Sequence, residues 1–264
     1  MGKFWICAVG FLLAISWQLP AWAFQPHRAV YDLSLLHAAE NSSLADVRGR
    51  LANEWTKECD GYLFNQRMVL QLIYDGQGSS LMDYQISSWE SLNGREFRFN
   101  IRTEINGELI DEYVGKADLD ATEGPHAKFT KPKPIVLKLP DDTMFPTTHS
   151  LAIINAASKN ARSLQATTFD GSNHETTFRA SLILGGRMKE PGKGMAAFDL
   201  LKGQAAWPVR LAFFKPTEAG PLPEVEMGFK LYANGIIAGL RLDYRDFSVR
   251  GKLQELIKVE MPSC

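Results

Sequence analysis

The sequence predicts a mainly β protein: a large antiparallel sheet, curled on itself, with one packed α-helix. Three observations predict it. Run after run alternates apolar and polar residues, the period-two pattern of a strand with one face in water. Asn-Gly falls between such runs at Asn93-Gly94, Asn106-Gly107 and Asn234-Gly235. A two-residue type I′ hairpin turn needs positive φ at both central residues, which Asn and Gly tolerate best. One segment breaks the alternation and is spaced as a helix. Roughly a dozen sequential strands make a sheet that should curl, close into a barrel or fold over as two layers.

The elements follow in chain order. "MGKFWICAVGFLLAISWQLPAWA" joins a basic start, Lys3, to an apolar run and a small-x-small end at Ala21-Trp22-Ala23. Those are the parts of a secretory signal peptide, with cleavage expected after Ala23 and a mature domain of residues 24–264. The rival is an uncleaved anchor, but Gln18 and Pro20 shorten the apolar run. From Arg28, "RAVYDLSL" sets Ala29, Tyr31, Leu33 and Leu35 on one face. "DVRGRLANEWTKEC" sets Val47, Leu51 and Trp55 against Arg48, Arg50 and Glu54. "YLFNQRMVLQLIY" carries Phe64, Met68, Leu70, Leu72 and Tyr74. "EFRFNIRTEI" is the clearest, with Phe97, Phe99 and Ile101 opposite Arg98, Asn100 and Arg102.

"FPTTHSLAIINAASKNARS" is the helix, with Leu151, Ile154, Ala157 and Ala161 on one face and Thr147 or Thr148 as cap after Pro146. Alternation resumes at Trp207, Val209, Leu211 and Phe213, then Val225 to Leu231, then Leu240 to Tyr244. Three stretches read as mobile loops: "DATEGPHAKFTKPKP", "GGRMKEPGKGMA" and "KPTEAGPLPE". None is long enough to divide the chain into domains.

Composition narrows the function classes. The formal net charge is −1, and loss of Lys3 with the signal takes it to −2. There is no basic excess to bind nucleic acid. Cys7 lies inside the signal, which leaves Cys59 and Cys264. In an oxidising compartment these allow one intramolecular bridge. Free thiols and an intermolecular bridge are the alternatives.

The sequence carries few signatures of catalytic chemistry. No Gly-x-Ser-x-Gly, His-Glu-x-x-His or Cys-x-x-Cys occurs. "GRMKEPGKG" lacks the spacing and the Ser or Thr of a phosphate loop. The histidines, His27, His37, His126, His149 and His174, are isolated, so no metal site, cofactor site or catalytic residue is assigned. "DGSNHE" reads as a turn rather than a triad. His149, in the first helical turn, reads first as a local hydrogen-bonding group. Trp55, Trp89 and Trp207 could line a cavity for an apolar ligand or simply form core.

Together "RAVYDLSL", "EWTKECDGY", "FPTTHS", "PVRLAFF" and "LDYRDFSVRGKLQELIKVEMPSC" resemble the EipB-type cell-envelope integrity proteins of Gram-negative bacteria. The resemblance covers the mature chain. It implies a periplasmic β-spiral, a broken barrel with one helix packed in it, similar in shape to periplasmic lipoprotein carriers and sensors. It implies a disulfide on Cys59 and Cys264, and a role in envelope maintenance and stress resistance without known catalysis. The expected partner is an envelope protein, bound by a monomer that does not bind nucleic acid. The alternative is a lipid, acyl chain or lipoprotein held in a concave apolar interior; a hydrolase built on His149 is the distant third. The disulfide is expected to close covalently a barrel that its hydrogen bonds leave open.

Overall fold

The computed structural model describes residues 24–40, 42–188, 195–216 and 222–264. Its first half is a meander of long strands: β1 (His27–Ala38), β2 (Leu44–Lys57), β3 (Gly61–Tyr74), β4 (Gly78–Ser91), β5 (Glu96–Ile105) and β6 (Glu108–Asp118). Three short strands follow, β7 (His126–Lys131), β8 (Ile135–Lys138) and β9 (Thr143–Met144). The helix α1 (Pro146–Ser158) comes next. Then come β10 (Ser163–Thr168), β11 (Phe178–Leu184), β12 (Ala206–Phe214), β13 (Val225–Tyr232), β14 (Ile237–Asp243) and β15 (Phe247–Lys258).

The fifteen strands of the described residues lie in one sheet, ordered β8 back to β1, then β15 back to β9. Neighbours are antiparallel except β9 and β10, which run parallel through Thr143↔Thr167 and Met144↔Thr168. The first and last strands pair from His27↔Lys258 to Ala38↔Phe247. Backbone hydrogen bonds therefore join the two ends of the chain in the middle of the sheet. The two edges are β8 and β9, consecutive in sequence and separated only by residues 139–142. They do not pair with each other. The sheet is thus a barrel with a seam, opened where the chain itself crosses from one edge to the other.

That topology corrects one expectation. Cys59 and Cys264 form a disulfide with Cα atoms 5.6 Å apart. It spans the β2–β3 turn and the tail after β15, strands already linked through β1. The bond therefore reinforces a continuous part of the sheet and does not close the seam, which lies at β8 and β9.

Alternation fixes which face is inside. In β5, Phe97, Phe99 and Ile101 are buried while Arg98 and Asn100 are exposed. In β12, Trp207, Val209 and Leu211 are buried around exposed Pro208 and Arg210. Each large apolar side chain so buried contributes about 1.5–3 kcal/mol. Three interior clusters result. One joins β1–β3 to β13–β15 around Tyr31, Val47, Leu70 and Val249. A second packs Ile153, Ile154 and Ala157 of α1 onto β11, β12 and β13. The third gathers Phe97, Phe99, Phe129, Phe145 and Phe169.

Several local expectations shift. Of the Asn-Gly pairs, only Asn106-Gly107 has both residues at positive φ, 54° and 81°. At the other two only the glycine is positive, with Gly94 N–H on the Ser91 carbonyl and Gly235 N–H on the Tyr232 carbonyl, each 2.9 Å. These are longer hairpin loops ending in a left-handed glycine. "DATEGPHAKFTKPKP" is not all loop: between Pro125 and Pro132, His126, Ala127 and Phe129 bury themselves as β7 against β6. The second and third expected loops fall partly at 189–194 and 217–221, outside the described residues, as does the expected signal peptide, 1–23. The helix buries Thr147, His149, Ile153, Ile154 and Ala157; Ala161 lies beyond its end.

Candidate functional site

The helix is held by an acid from the sheet. Its N-cap is Phe145, which has no side-chain oxygen, and neither Thr147 nor Thr148 occupies the cap as expected. Pro146 needs no N–H partner at the first helical position. The free N–H groups that follow are met by Glu90 of β4. Its carboxylate accepts from Thr147 N–H at 2.7 Å, Thr148 N–H at 2.8 Å and Thr148 Oγ1 at 2.5 Å. A carboxylate at this end also meets the positive pole of the helix. Glu90 is 2% exposed. Burial pushes its carboxyl above the usual range, and the bonds from Thr148 and Thr147 oppose that. A charge-assisted bond of this kind pins the helix start to one place on the sheet.

So placed, α1 does not fill the interior. Between it and the sheet lies a cavity of about 280 Å³. Ile153 and Ile154 of the helix form one wall, and Leu211, Phe213 and Phe229 of β12 and β13 another. Phe24, Trp55 and Phe64 continue it as a ladder, with ring centroids 4.7 and 4.6 Å apart. Gln66 and Asp170 also reach the wall.

Three buried polar side chains face this apolar space. His149 is 6% exposed, and burial pushes its imidazole down to about 4, so it is neutral at physiological pH. His27, 2% exposed, is likewise lowered by burial, against the opposing effect of the Gln25 carbonyl 2.7 Å from Nδ1. Asn53 lies on the cavity wall with Oδ1 buried and without a hydrogen-bond partner among the described residues. An unpaired buried amide is costly, which marks the place as one where a ligand or water can pair with it.

The structure sorts the residues singled out from the sequence. It brings His27 and His149, taken as isolated, to one cavity; His37, His126 and His174 do not line it. Asp170 Oδ1 accepts from Ser172 N–H and Oγ, and Asn173 Oδ1 from Glu175 N–H, so "DGSNHE" is a turn. Trp55 lines the cavity, Trp207 is core, and Trp89 lies under the Arg98 guanidinium at 4.6 Å. Among the described residues, no group of three or more His, Cys, Asp or Glu side chains is placed to hold a metal, and no helix is long and apolar enough to cross a membrane. Asn53 was missed. It sits at the same strand parity as Val47, Leu51 and Trp55, which places it indoors.

A curled antiparallel sheet with a seam, a pinned internal helix, an apolar cavity and a terminal disulfide define a β-barrel-like protein. The chain belongs to the EipB-like family, whose sequence model matches residues 18–260. It is 35% identical over 234 residues to the cell envelope integrity protein EipB of Brucella abortus (strain 2308), covering 88% of this chain and 83% of that protein. It is similar to a solved structure described as a beta-barrel-like protein of domain of unknown function DUF1849 from Brucella abortus. The TM-score is 0.83 at 33% identity, over 90% of this chain and 99% of that one. The envelope-integrity relative and the disulfide point together to an extracytoplasmic, periplasmic location.

Proposed function

We propose that the protein supports envelope integrity by binding rather than by catalysis, as a carrier or sensor that holds an acyl chain of a lipid or lipoprotein inside the sheet. The cavity beside α1 carries this reading. It is walled by Phe, Trp, Ile and Leu side chains with a few polar groups, the usual make-up of a small-ligand site. At ~30 Å³ per water-sized group it holds about nine such groups, the bulk of a single short chain rather than a whole diacyl lipid. Residues 1–23 act as the export signal on this reading.

Native mass spectrometry of protein recovered from the periplasm tests it. A bound lipid or fatty acid at one per chain is expected, and replacement of Ile154 by Trp should expel it. A clean apo mass in the wild type would count against the cavity. His149→Ala tests the hydrolase alternative: loss of envelope function with the lipid still bound and the fold intact would favour catalysis over carriage.

A second reading, a protein partner from the envelope, has one observation of its own. The outer edge of β8 is unpaired, and Val136 on it is 64% exposed. Such an edge accepts an added strand. Pro substituted for Val136 should abolish capture of that partner and leave acyl-chain binding intact.

A further inference from the structure

Phe24 belongs to two pockets. One is the apolar cavity; the other is a space of about 440 Å³ lined by Lys57, Tyr62, Lys258, Glu260 and Met261. Strand register explains the adjacency. Lys258 lies opposite His27, which lies opposite Trp55, which lies opposite Phe64. Lys57, opposite Tyr62, is two residues beyond Trp55 and so on the same face. The aromatic wall of the cavity therefore runs outward, without a break, into two lysines. Both are exposed, and neither forms an ion pair with a described residue. Glu260 is the acid that lines the same space.

The junction is held in place. Gln25 N–H donates to the Asn234 carbonyl at 2.9 Å, and Val259 N–H to the Pro26 carbonyl at 3.1 Å. The first described residues are thereby stitched to the β13–β14 turn on one side and to the tail after β15 on the other. Gly235 lies against the Phe24 ring: a Cβ there would come within 2.7 Å of it, at a φ of +85° that already favours glycine. The disulfide anchors the far end of the tail, so Cys264 holds the strand of chain that carries Glu260 and Met261 as one wall of the outer pocket.

We propose that the cavity and the outer pocket are two compartments of one site for a single-chain anionic amphiphile. The hydrocarbon lies in the cavity, the carboxylate or phosphate lies between Lys57 and Lys258, and Phe24 forms the junction. This rests on the acyl-chain reading above and adds the headgroup to it. It also gives the disulfide a local task, to shape the wall of a headgroup pocket. Processing after Ala23 would add the α-ammonium of Phe24 to the same junction.

The test is calorimetric titration of the mature protein with four ten-carbon probes: decanoate, decyl phosphate, decanol and decyltrimethylammonium. The two anions should bind about tenfold more tightly than decanol, as two solvent-screened charge pairs allow. The cation should bind more weakly than decanol. Raising salt from about 0.01 to about 1 M shortens the Debye length from ~30 to ~3 Å and should erase the anion advantage without changing decanol. A Lys57→Gln/Lys258→Gln variant, altered only at exposed positions, should do the same at low salt. Preference for decyl phosphate would name a phospholipid-type headgroup, and preference for decanoate a fatty acid. Equal binding of decanol and the anions, or an anion preference that survives in the lysine variant, would overturn the headgroup assignment and leave the cavity reading standing. Failure of all four probes to bind would remove both.

Discussion

Two regions of the interior are built from aromatic rings and end differently. In the first, Phe97 stacks on Phe145 at 5.1 Å and on Phe99 at 5.6 Å, Phe99 meets Phe129 edge-on at 5.1 Å, and Phe169 closes the group. All five are at most 3% exposed. In the second, Phe24, Trp55 and Phe64 stack as closely, yet they border empty space. Phe169 belongs to both regions and forms the partition. Ring count therefore does not distinguish core from site. What distinguishes them is what stands opposite the rings. Opposite Phe97 are the rings of Phe145, just before α1, and Phe169, just after β10. Opposite Trp55 is a helix whose start is held by Glu90, 57 residues before Thr147 in sequence, and which packs on β11–β13 while leaving the space beside Trp55 open.

The largest expected effect concerns what holds the open region. Cys264→Ser removes a link across a sequence separation of 205. Chain-entropy reasoning gives up to about 5 kcal/mol for so long a loop, and native bridges typically give 2–5. Chemical denaturation should show that loss. Hydrogen exchange should show the extra opening at residues 24–28 and 255–264, with the Phe97 cluster unchanged below the global transition. Uniform loosening of both regions would break the distinction. Next in size is the direct contrast. Phe97→Ala should cost about 3–5 kcal/mol, because its neighbours leave a new cavity. Phe64→Ala, which only enlarges an existing space, should cost less than about 2 kcal/mol. Equal costs would mean that the cavity collapses or is filled, and that the two regions are packed alike.

The third effect separates the regions by pH. The His149 imidazole titrates at about 4 in the folded protein, against 6.5 for the unfolded chain. Between these values the unfolded state binds more protons, so stability rises with pH. The contribution is intact above pH 6.5, is lost progressively as pH falls, and is fully lost by about pH 4, a total of about 3 kcal/mol. Glu90, raised by burial, works in the opposite sense, and His27, lowered by burial, in the same one. The comparison must therefore be wild type against His149→Gln. The difference between their stability profiles should appear between pH 6.5 and 4, and a flat difference would place His149 in contact with solvent.

Local physics made much of this legible in advance. Period two identified the inner faces of β1, β2, β5 and β12, and the loss of alternation identified α1. Those signals reside in a residue and its near neighbours. The pairing of β1 with β15, the location of the seam, and the capping of α1 by Glu90 depend on contacts made far along the chain, and no local pattern encodes them. The cap shows why the local rule failed. Thr148 was a reasonable capping residue, but Pro146 starts the helix ahead of it, its hydroxyl donates to the Glu90 carboxylate, and that same buried acid accepts from the first free N–H groups of the helix. Asn53 was readable by parity and overlooked because an amide does not register in a search for apolar faces.

The smallest expected effect is the sharpest test of the two regions. Each holds a buried polar atom without a partner among the described residues: His174 Nδ1 near the rings of Tyr113 and Phe129, and Asn53 Oδ1 on the cavity wall. Leu is close to Asn in size and brings no unpaired group, so Asn53→Leu should leave stability unchanged or raise it by about 1 kcal/mol. The same variant should lose affinity for a ten-carbon acid with a hydroxyl along its chain, which can pair with the amide inside the cavity, relative to decanoate, whose polar end lies in the outer pocket. His174→Leu should alter neither affinity, because its orphan nitrogen faces rings instead of space. If Asn53→Leu destabilises the protein by more than about 1 kcal/mol, the amide is already satisfied by a resident water, and the cavity is wet at that end rather than waiting for a ligand.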